Sequence, residues 1–100
     1  MGNKPKLYIS GAISGHDINS VIKRFGECER LYTSRGFEVR NPLNNNVPYE
    51  ASYKEHMIAD IKMLLECDSI LMMQGWENSK GANLEKHIAE VLNLKIIYEK

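Results

Sequence analysis

The sequence predicts a doubly wound α/β fold of the flavodoxin- or Rossmann-like kind, with a four-stranded parallel sheet in the order 2-1-3-4 and helices on both faces. Three observations support this prediction. Strand-like and helix-like segments alternate along the 100 residues, residues 69–73 form an unbroken apolar run, and the first β-rich segment ends in a glycine-containing loop. Alternation of this kind produces parallel strands joined by right-handed crossovers, and unbroken apolar strands are typical of sheets covered on both faces.

The first strand is predicted at residues 7–9, and it leads into a loop at residues 10–15. A helix follows, because apolar side chains recur at spacings of three and four, and Gly36 stands where a C-cap glycine belongs. The positions that we expect this helix to bury are Ile18, Val21, Ile22, Phe25, Cys28 and Tyr32.

The middle of the chain is predicted to contain a strand, a loop and a second helix. Residues 37–40 alternate as a half-buried strand does, and residues 41–48 are a polar loop in which helix is not expected. The second helix is predicted over residues 50–66. Its expected buried stripe consists of Met57, Ile58, Ile61, Leu64 and Leu65.

The last third of the chain is predicted to contain two strands that flank a third helix. Residues 69–73 form the third strand, and Asn78 or Ser79 caps the helix that follows. That helix is expected to end near Asn93, an acceptable left-handed cap, before a final strand at residues 95–98. Its expected buried stripe consists of Leu84, Ile88, Val91 and Leu92.

Length and composition indicate one globular domain spanning residues 1–100, since 43% of the residues are hydrophobic and 26% are charged. Thirteen basic side chains balance thirteen acidic ones, so there is no basic surplus to hold a nucleic-acid polymer or an anionic membrane. No apolar run is long enough to cross a bilayer, and residues 1–6 lack the apolar segment of a signal peptide. We therefore expect a cytoplasmic protein.

The residues most often used for metal binding show no metal-ligand spacing. Cys28 and Cys67 lie in separate helix patterns and are expected to be reduced core thiols. His16, His56 and His87 are expected to be solvated or locally bonded. The loop after the first strand is not GxGxxG, and GxxxxGK[ST] is absent from the sequence. We therefore expect neither a metal nor a cofactor, and neither a dehydrogenase nor a nucleoside triphosphatase.

The most informative stretch is residues 78–85, which places Glu85 near the start of the third helix. A helical side chain leans toward its own N-terminus, over Gly81 and Ala82 in this case, so nothing bulky is expected to cover the carboxylate. The partial positive charge of a helix start favours the ionised form. We expect an available anion suited to nucleophilic attack or to binding a cationic centre. The alternative is a structural role, because glutamate is common near helix starts for dipole reasons alone.

Asp60 is a second candidate acid, at the edge of the apolar stripe of the second helix and close to Tyr53 and Met57. The alternative is a carboxylate that bonds to backbone or pairs with a lysine such as Lys54. Ligands of doubly wound sheets bind beyond the carboxyl ends of the strands, so Asp60 and Glu85 can face the same crevice. Two carboxylates in one crevice can divide the work of cleaving a glycosidic bond.

Three segments together resemble the nucleoside 2-deoxyribosyltransferase superfamily, which includes nucleotide N-glycosidases that hydrolyse deoxynucleoside monophosphates. They are residues 7–15, the Ala59-Asp60-Ile61 step with the strand start at residues 67–70, and Ser79-x-Gly81-x-x-x-Glu85. The chain is more similar still to a family of small phage and bacterial proteins with a signature over residues 75–82, Gly-Trp-Glu-Asn-Ser-Lys-Gly-Ala.

The resemblance implies a role for each matching residue. Glu85 matches the nucleophile that forms a covalent sugar intermediate, and Asp60 matches the acid that assists departure of the base. Tyr8 matches a tyrosine that can orient the nucleophile by a hydrogen bond, with core packing as the alternative. Ser79 matches a serine that contacts phosphate in the monophosphate hydrolases, and a hydroxyl beside free helix N–H groups accommodates phosphate. This favours a nucleoside monophosphate as substrate.

Further substrate contacts are expected around these residues. The expected substrate-binding residues are Ser10, Gly11, Ile13, Ser14, Asn41, Trp76, Ser79 and Gly81. Trp76 can stack on a base, or alternatively pack on the domain or in a dimer contact. The resemblance also implies a small-molecule nucleoside or nucleotide partner and a homodimer or higher homo-oligomer, since relatives complete their pockets between subunits.

The predicted function is cleavage or transfer of an N-glycosidic bond through a covalent glutamyl–sugar intermediate. Two alternatives remain at this point: a non-catalytic nucleotide-binding or sensing module of the same fold, and a phage or host interaction protein with a vestigial pocket.

Overall fold

Strands and helices alternate along the chain in the computed structural model, which describes residues 4–100. Residues 1–3, part of the segment expected to lack a signal peptide, lie outside the described residues. The elements are β1 (Lys6–Ser10), α1 (Ile18–Ser34), β2 (Glu38–Arg40), α2 (Tyr53–Leu65), β3 (Ser69–Met72), α3 (Lys80–Val91) and β4 (Lys95–Tyr98). Short 3-10 turns occupy Pro42–Asn44 and Trp76–Asn78.

The four strands are all parallel and lie in the order β2-β1-β3-β4, which confirms the predicted fold. In the register, Tyr8 lies opposite Arg40 on one side and Ile70 on the other. The chain leaves β1 toward β2 and then returns to place β3 on the other side of β1. The switch in strand order therefore falls between β1 and β3, where a crevice opens beyond their carboxyl ends.

The sheet separates two apolar clusters, and the pleat of β1 assigns its side chains to them alternately. Leu7 and Ile9 pack with α1, whereas Tyr8 packs on the opposite face with residues of α2 and α3. Ser10 follows Tyr8 by two residues and so faces the same way. This alternation turns two hydroxyl groups of β1 toward α3.

The element boundaries differ from the prediction by a few residues. β1 is one residue longer at each end, β2 begins at Glu38 rather than at residue 37, and β3 ends at Met72 rather than at residue 73. The loop expected to lack helix contains the 3-10 turn Pro42–Asn44 but no α-helix. Asn93 has a φ of 59°, which confirms the predicted left-handed conformation there, although α3 ends earlier, at Val91.

The helix caps explain where α2 and α3 begin. The Ser52 hydroxyl accepts from the backbone N–H of Glu55, and the Glu55 carboxylate accepts from the N–H of Ser52, so a capping box sets the start of α2 at Tyr53 instead of residue 50. Ser79, rather than Asn78, caps α3, because its hydroxyl accepts from the N–H of Ala82.

The predicted buried stripes of the helices are wrong in part. Six of the expected core residues are exposed, namely Ile22, Ile58, Leu65, Leu84, Val91 and Leu92. α3 buries Ala82, Glu85 and Ala89 instead, and α2 buries Asp60 and Leu64. Small alanine side chains let α3 lie close to the sheet, and this rotation carries a carboxylate inward while larger apolar side chains face outward. Within the described part of the chain, no helix has both the length and the apolar character required for crossing a membrane.

Candidate active site

A cavity of about 910 Å³ opens where the loops that follow β1 and β2 meet α2 and the start of α3. The loop after β1 contributes residues 11–16, and the loop after β2 contributes residues within and after its 3-10 turn. The end of the connection between β3 and α3, together with the first residues of α3, contributes residues 78–81. Tyr8, Asp60 and Glu85 all line this cavity, so the structure brings together the three residues predicted to be catalytic.

Glu85 lies in the cavity wall with only 4% of its surface exposed. The Tyr8 hydroxyl donates to its Oε2 over 2.8 Å, and the Ser10 hydroxyl donates to its Oε1 over 2.7 Å. Among residues 4–100, no basic side chain forms an ion pair with this carboxylate. The expectation that Glu85 stays uncovered is therefore wrong, because the helix rotates it onto the sheet. It is nevertheless oriented by two neutral donors and faces the cavity.

Burial raises the pKa of Glu85 to about 7, against an ordinary value of 4.5. The hydrogen bonds from Ser10 and Tyr8 lower this pKa in part, and the negative charge of Asp60 raises it further. The predicted preference for the ionised form is therefore wrong. Glu85 lies more than one turn beyond Lys80, the first residue of α3, so it is outside the turn whose unpaired N–H groups favour an anion. The effect of desolvation on the pKa of Glu85 therefore exceeds that of the helix start.

Tyr8 is fully buried, and its hydroxyl is a neutral donor. Desolvation raises its pKa well above 10.0, and the charges of Glu85 and Asp60 act in the same direction. The ring of Tyr8 packs in an apolar cluster, while its oxygen forms a hydrogen bond with Glu85.

Asp60 is the second buried acid of the cavity, with 6% of its surface exposed. Its partner is Asn45, whose Nδ2 donates to Oδ1 over 2.9 Å, and not a backbone group or Lys54. Burial raises the pKa of Asp60 above 3.8, while the Asn45 bond and the nearby His56 lower it.

Asn45 and His56 are site residues that the sequence did not identify. Asn45 Nδ2 lies 3.1 Å from His56 Nδ1, and Asn45 Oδ1 accepts from the N–H of Val47 over 3.0 Å. His56 Nε2 lies 3.3 Å from the carbonyl oxygen of Tyr49. In the sequence, Asn45 is the middle member of three consecutive asparagines, and nothing local distinguishes it from its neighbours.

Most of the predicted substrate-binding residues lie at the cavity. Those that line it are Gly11, Ile13, Ser14, Ser79 and Gly81. Ser10 does not line the cavity. Its side chain is buried and donates a hydrogen bond to Glu85.

Asn41 and Trp76 do not line the cavity, which contradicts their predicted substrate contacts. Asn41 is structural: its Nδ2 donates to Glu29 over 3.0 Å, and its Oδ1 caps the 3-10 turn that follows it. Trp76 packs on the domain, with its ring centroid 6.1 Å from that of Tyr98 and with Lys86 Nζ 5.4 Å from it. The short turn at Trp76–Asn78 directs the indole toward β4 and away from the cavity.

Two exposed aromatic residues other than Trp76 are available at the cavity. Tyr49 is 74% exposed and Tyr53 is 56% exposed, and both line the cavity. Lys80 and His16 are further lining residues that can carry positive charge. In the sequence both tyrosines lie close to the Ser52 helix cap, a position that does not by itself indicate a cavity.

The structure describes no group of three or more His, Cys, Asp or Glu side chains within residues 4–100 that can hold a metal ion. Both cysteines are buried free thiols, and burial raises the pKa of each to about 11. Cys28 and Cys67 therefore stay protonated near neutral pH.

An all-parallel 2-1-3-4 sheet with a carboxylate-lined cavity at its switch point defines a doubly wound α/β protein with a small-molecule type of site. The chain belongs to the family described as "Domain of unknown function (DUF4406)", whose sequence profile matches residues 5–98.

Among solved structures, the chain is similar to a 2-deoxyribosyltransferase from the psychrotolerant bacterium Bacillus psychrosaccharolyticus, with a TM-score of 0.71. The two are 15% identical, and the match covers 93% of this chain and 70% of that one. The likeness shows a shared fold. Comparison with curated protein sequences finds no match.

Proposed function

We propose that the protein cleaves or transfers the N-glycosidic bond of a nucleoside or a nucleoside 5′-monophosphate, with Glu85 as the nucleophile. The observation that carries the proposal is the setting of Glu85: buried in a cavity wall, with each oxygen held by one hydroxyl group. Neutral donors orient a carboxylate without neutralising it. Each oxygen also keeps a lone pair for attack, since an ionised carboxylate offers about four acceptor positions.

In the first half of the reaction, a Glu85 oxygen attacks C1′ of the sugar and the bond from C1′ to the base nitrogen breaks. The electron pair of that bond goes to the base, and the Asp60 carboxyl donates the proton that neutralises it. In the second half, water or a second base attacks C1′ and the Glu85–sugar ester breaks. Asp60 accepts the proton that the water or the second base loses. Water gives hydrolysis, and a second base gives transfer.

The productive form has Glu85 ionised and Asp60 protonated, so the pair carries one proton. Burial raises the pKa of both acids, that of Glu85 to about 7, and the charge of Asp60 adds to the rise at Glu85. The larger rise is that of Glu85, so near neutral pH the proton of the pair lies mainly on Glu85, and it lies on Asp60 in the productive form. Transfer of that proton from Glu85 to Asp60 leaves one acid able to attack the sugar and the other able to protonate the base.

The surroundings of the two acids fit a nucleotide. The cavity of about 910 Å³ is within the range typical of ligand sites. The exposed rings of Tyr49 and Tyr53 offer faces for stacking a base. Ser79 and Lys80, at the start of α3, offer a hydroxyl group and a positive charge to a 5′-phosphate. Similarity to a 2-deoxyribosyltransferase supports the same class of substrate.

The proposal includes a homodimer. Exposed apolar side chains on α2 and α3, such as Leu65, Leu84 and Val91, provide surface that a second copy can cover.

The activity test is release of free base from a panel of nucleosides and nucleoside 5′-monophosphates, in ribo and 2′-deoxy forms, measured by chromatography. A 2-fluorinated sugar analogue should label Glu85, detected by mass spectrometry of peptides. Glu85→Gln should abolish both results, and the control Glu77→Gln, an exposed acid near the start of α3, should change neither. Absence of both base release and labelling contradicts the proposal.

A non-catalytic nucleotide sensor is the second candidate, and one observation favours it. With a pKa of about 7, Glu85 is partly protonated near neutral pH and can donate a hydrogen bond to a ligand without attacking it. Isothermal calorimetry separates the two functions. Glu85→Gln in a catalyst loses turnover and keeps ligand affinity, whereas a sensor shows no turnover in the unmodified protein.

A further inference from the structure

We propose that Asn45 is a positioning residue for Asp60, and that His56 in turn fixes the amide group of Asn45. The inference rests on the proposed function, in which Asp60 supplies a proton to the departing base. Neither Asn45 nor His56 was identified from the sequence as part of the site. Both line the cavity beside Asp60.

The amide of Asn45 is held at every polar atom. Its two N–H bonds serve two acceptors, Asp60 Oδ1 at 2.9 Å and His56 Nδ1 at 3.1 Å, and its oxygen accepts from Val47 N–H at 3.0 Å. If the amide oxygen and nitrogen of Asn45 were exchanged, the oxygen would face the Asp60 carboxylate and the amide N–H would face the N–H of Val47. An acceptor would then face an acceptor, and a donor would face a donor. The hydrogen-bond network therefore selects one orientation.

The ring of His56 completes this selection. Its Nε2 lies 3.3 Å from the Tyr49 carbonyl oxygen, which only accepts, so the ring proton is assigned to Nε2. Nδ1 is then unprotonated and accepts from Asn45. The tautomer of His56 and the orientation of Asn45 are thus consistent with each other.

A neutral donor suits a group that must gain and lose a proton. A lysine or arginine at this place would hold Asp60 ionised, whereas an amide orients the carboxyl group and leaves it able to protonate. In the part of the chain that the structure describes, the side-chain hydrogen bond of Asp60 is made at Oδ1, and Asp60 lines the cavity. Asp60 interacts electrostatically with three charged or titratable groups. They are His56 on α2, Glu85 on α3 and Tyr8 on β1.

The kinetic test compares two substrates of the same base class. An ordinary purine deoxynucleoside 5′-monophosphate needs a proton for its base to leave, whereas its N7-methylated form carries a positive charge and leaves without one. Asn45→Ala should lower kcat on the ordinary substrate by about 10- to 100-fold, part of the 10²–10⁴ that general acid catalysis contributes. On the N7-methylated substrate the loss should be under about 3-fold. Equal losses on both substrates would show a merely structural role and overturn the proposal.

A carboxyl NMR titration tests the inference independently of turnover. The ¹³C resonance of Asp60 is assigned by its loss in Asp60→Asn. Asn45→Ala should raise the pKa of Asp60, because the bond from Asn45 lowers it, and Asn45→Asp should raise that pKa further by placing a second acid beside it. Asn45→Asp keeps the size of the side chain and the acceptor for Val47, so it also serves if Asn45→Ala fails to fold.

The matched control is Asn44→Asp, the same substitution at the neighbouring exposed asparagine, which should leave the pKa of Asp60 unchanged. An Asp60 pKa that stays the same in both Asn45 variants overturns the positioning role. If no substrate is turned over by the unmodified protein, the proposed function fails, and the titration alone still decides whether Asn45 controls Asp60.

Discussion

The hydroxyl oxygen of Tyr8 lies 2.8 Å from Oε2 of Glu85, although the two residues are 77 positions apart in the chain. β1 presents Tyr8 and Ser10 on one face, and α3 presents Glu85 to the same face, so the two oxygens of one carboxylate are bonded from a single strand. Hydroxyl donors of this kind fix a carboxylate in place without an ion pair.

Removal of either hydroxyl group should raise the pKa of Glu85 above about 7, because each hydrogen bond lowers it. Ser10→Ala should have the larger effect and Tyr8→Phe the smaller one, since the Ser10 bond lowers that pKa more. Carboxyl ¹³C NMR titration measures both. Ser14→Ala, at an exposed residue of the cavity rim, is the control and should leave the pKa unchanged. A Glu85 pKa that falls in either variant would show that these bonds do not stabilise the ionised form.

Stability should decline as pH rises through neutrality. The pKa of Glu85 is about 7 in the folded protein against 4.5 ordinarily, so the folded state binds the proton more tightly. Its contribution is fully present below pH 4.5 and is lost as pH rises through 7, by about 3 kcal/mol. Glu85→Gln should therefore match the parent protein at pH 4.5 and exceed its free energy of unfolding at pH 8. Urea unfolding at both pH values measures this, and an equal pH dependence in the two proteins contradicts it.

In the proposed mechanism the active form of the Asp60–Glu85 pair keeps one proton, so the activity of the parent protein should fall above pH 7. Asp60→Asn should lower kcat/KM by about 10²–10⁴ and change the shape of the profile. Without Asp60, activity should rise with pH to a plateau that reports ionisation of Glu85 alone. A profile of the parent protein that keeps rising above pH 7 is incompatible with Asp60 as the proton donor.

Two glycines in helices should respond differently to alanine. A Cβ at Gly81 would lie 3.0 Å from the Tyr53 hydroxyl oxygen and 3.2 Å from Met57 Sδ, whereas the nearest atom at Gly26 is Arg30 Nη1 at 3.4 Å. Gly26→Ala should stabilise the protein by about 0.5–1 kcal/mol through helix propensity. Gly81→Ala should increase the stability of the protein less than Gly26→Ala does. It should also weaken ligand binding, since it displaces Tyr53 at the cavity. Thermal unfolding and calorimetry with a nucleoside monophosphate measure the pair, and equal effects at both positions contradict the close packing at Gly81.

Substitution of Trp76 should affect stability, whereas substitution of Tyr53 should affect ligand binding. Trp76→Ala should destabilise the protein by about 2 kcal/mol, because it removes apolar contacts of a half-buried ring, and should leave ligand affinity unchanged. Tyr53→Ala should weaken binding of a nucleoside monophosphate at little cost in stability, since Tyr53 is 56% exposed at the cavity. Loss of ligand affinity in Trp76→Ala would contradict the prediction and indicate that the indole contacts the ligand.

Local sequence patterns were sufficient for the order and type of the elements, the parallel sheet and the left-handed residue Asn93. Helical and strand periodicity arise from backbone geometry that neighbouring residues share, so they can be recognised without knowledge of distant contacts. The start of α2 is also encoded locally, because the capping box of Ser52 and Glu55 sets it at Tyr53 and not at the predicted residue 50.

The sequence by itself determined the fold and the three residues, Tyr8, Asp60 and Glu85, that meet at the cavity. Only the tertiary structure decided how those residues are held. Whether α3 buries Ala82 and Ala89 or its larger apolar side chains depends on the shape of the sheet beneath it. That packing removes water from Glu85 and raises its pKa, and it depends on contacts between residues far apart in the chain, which local patterns do not record.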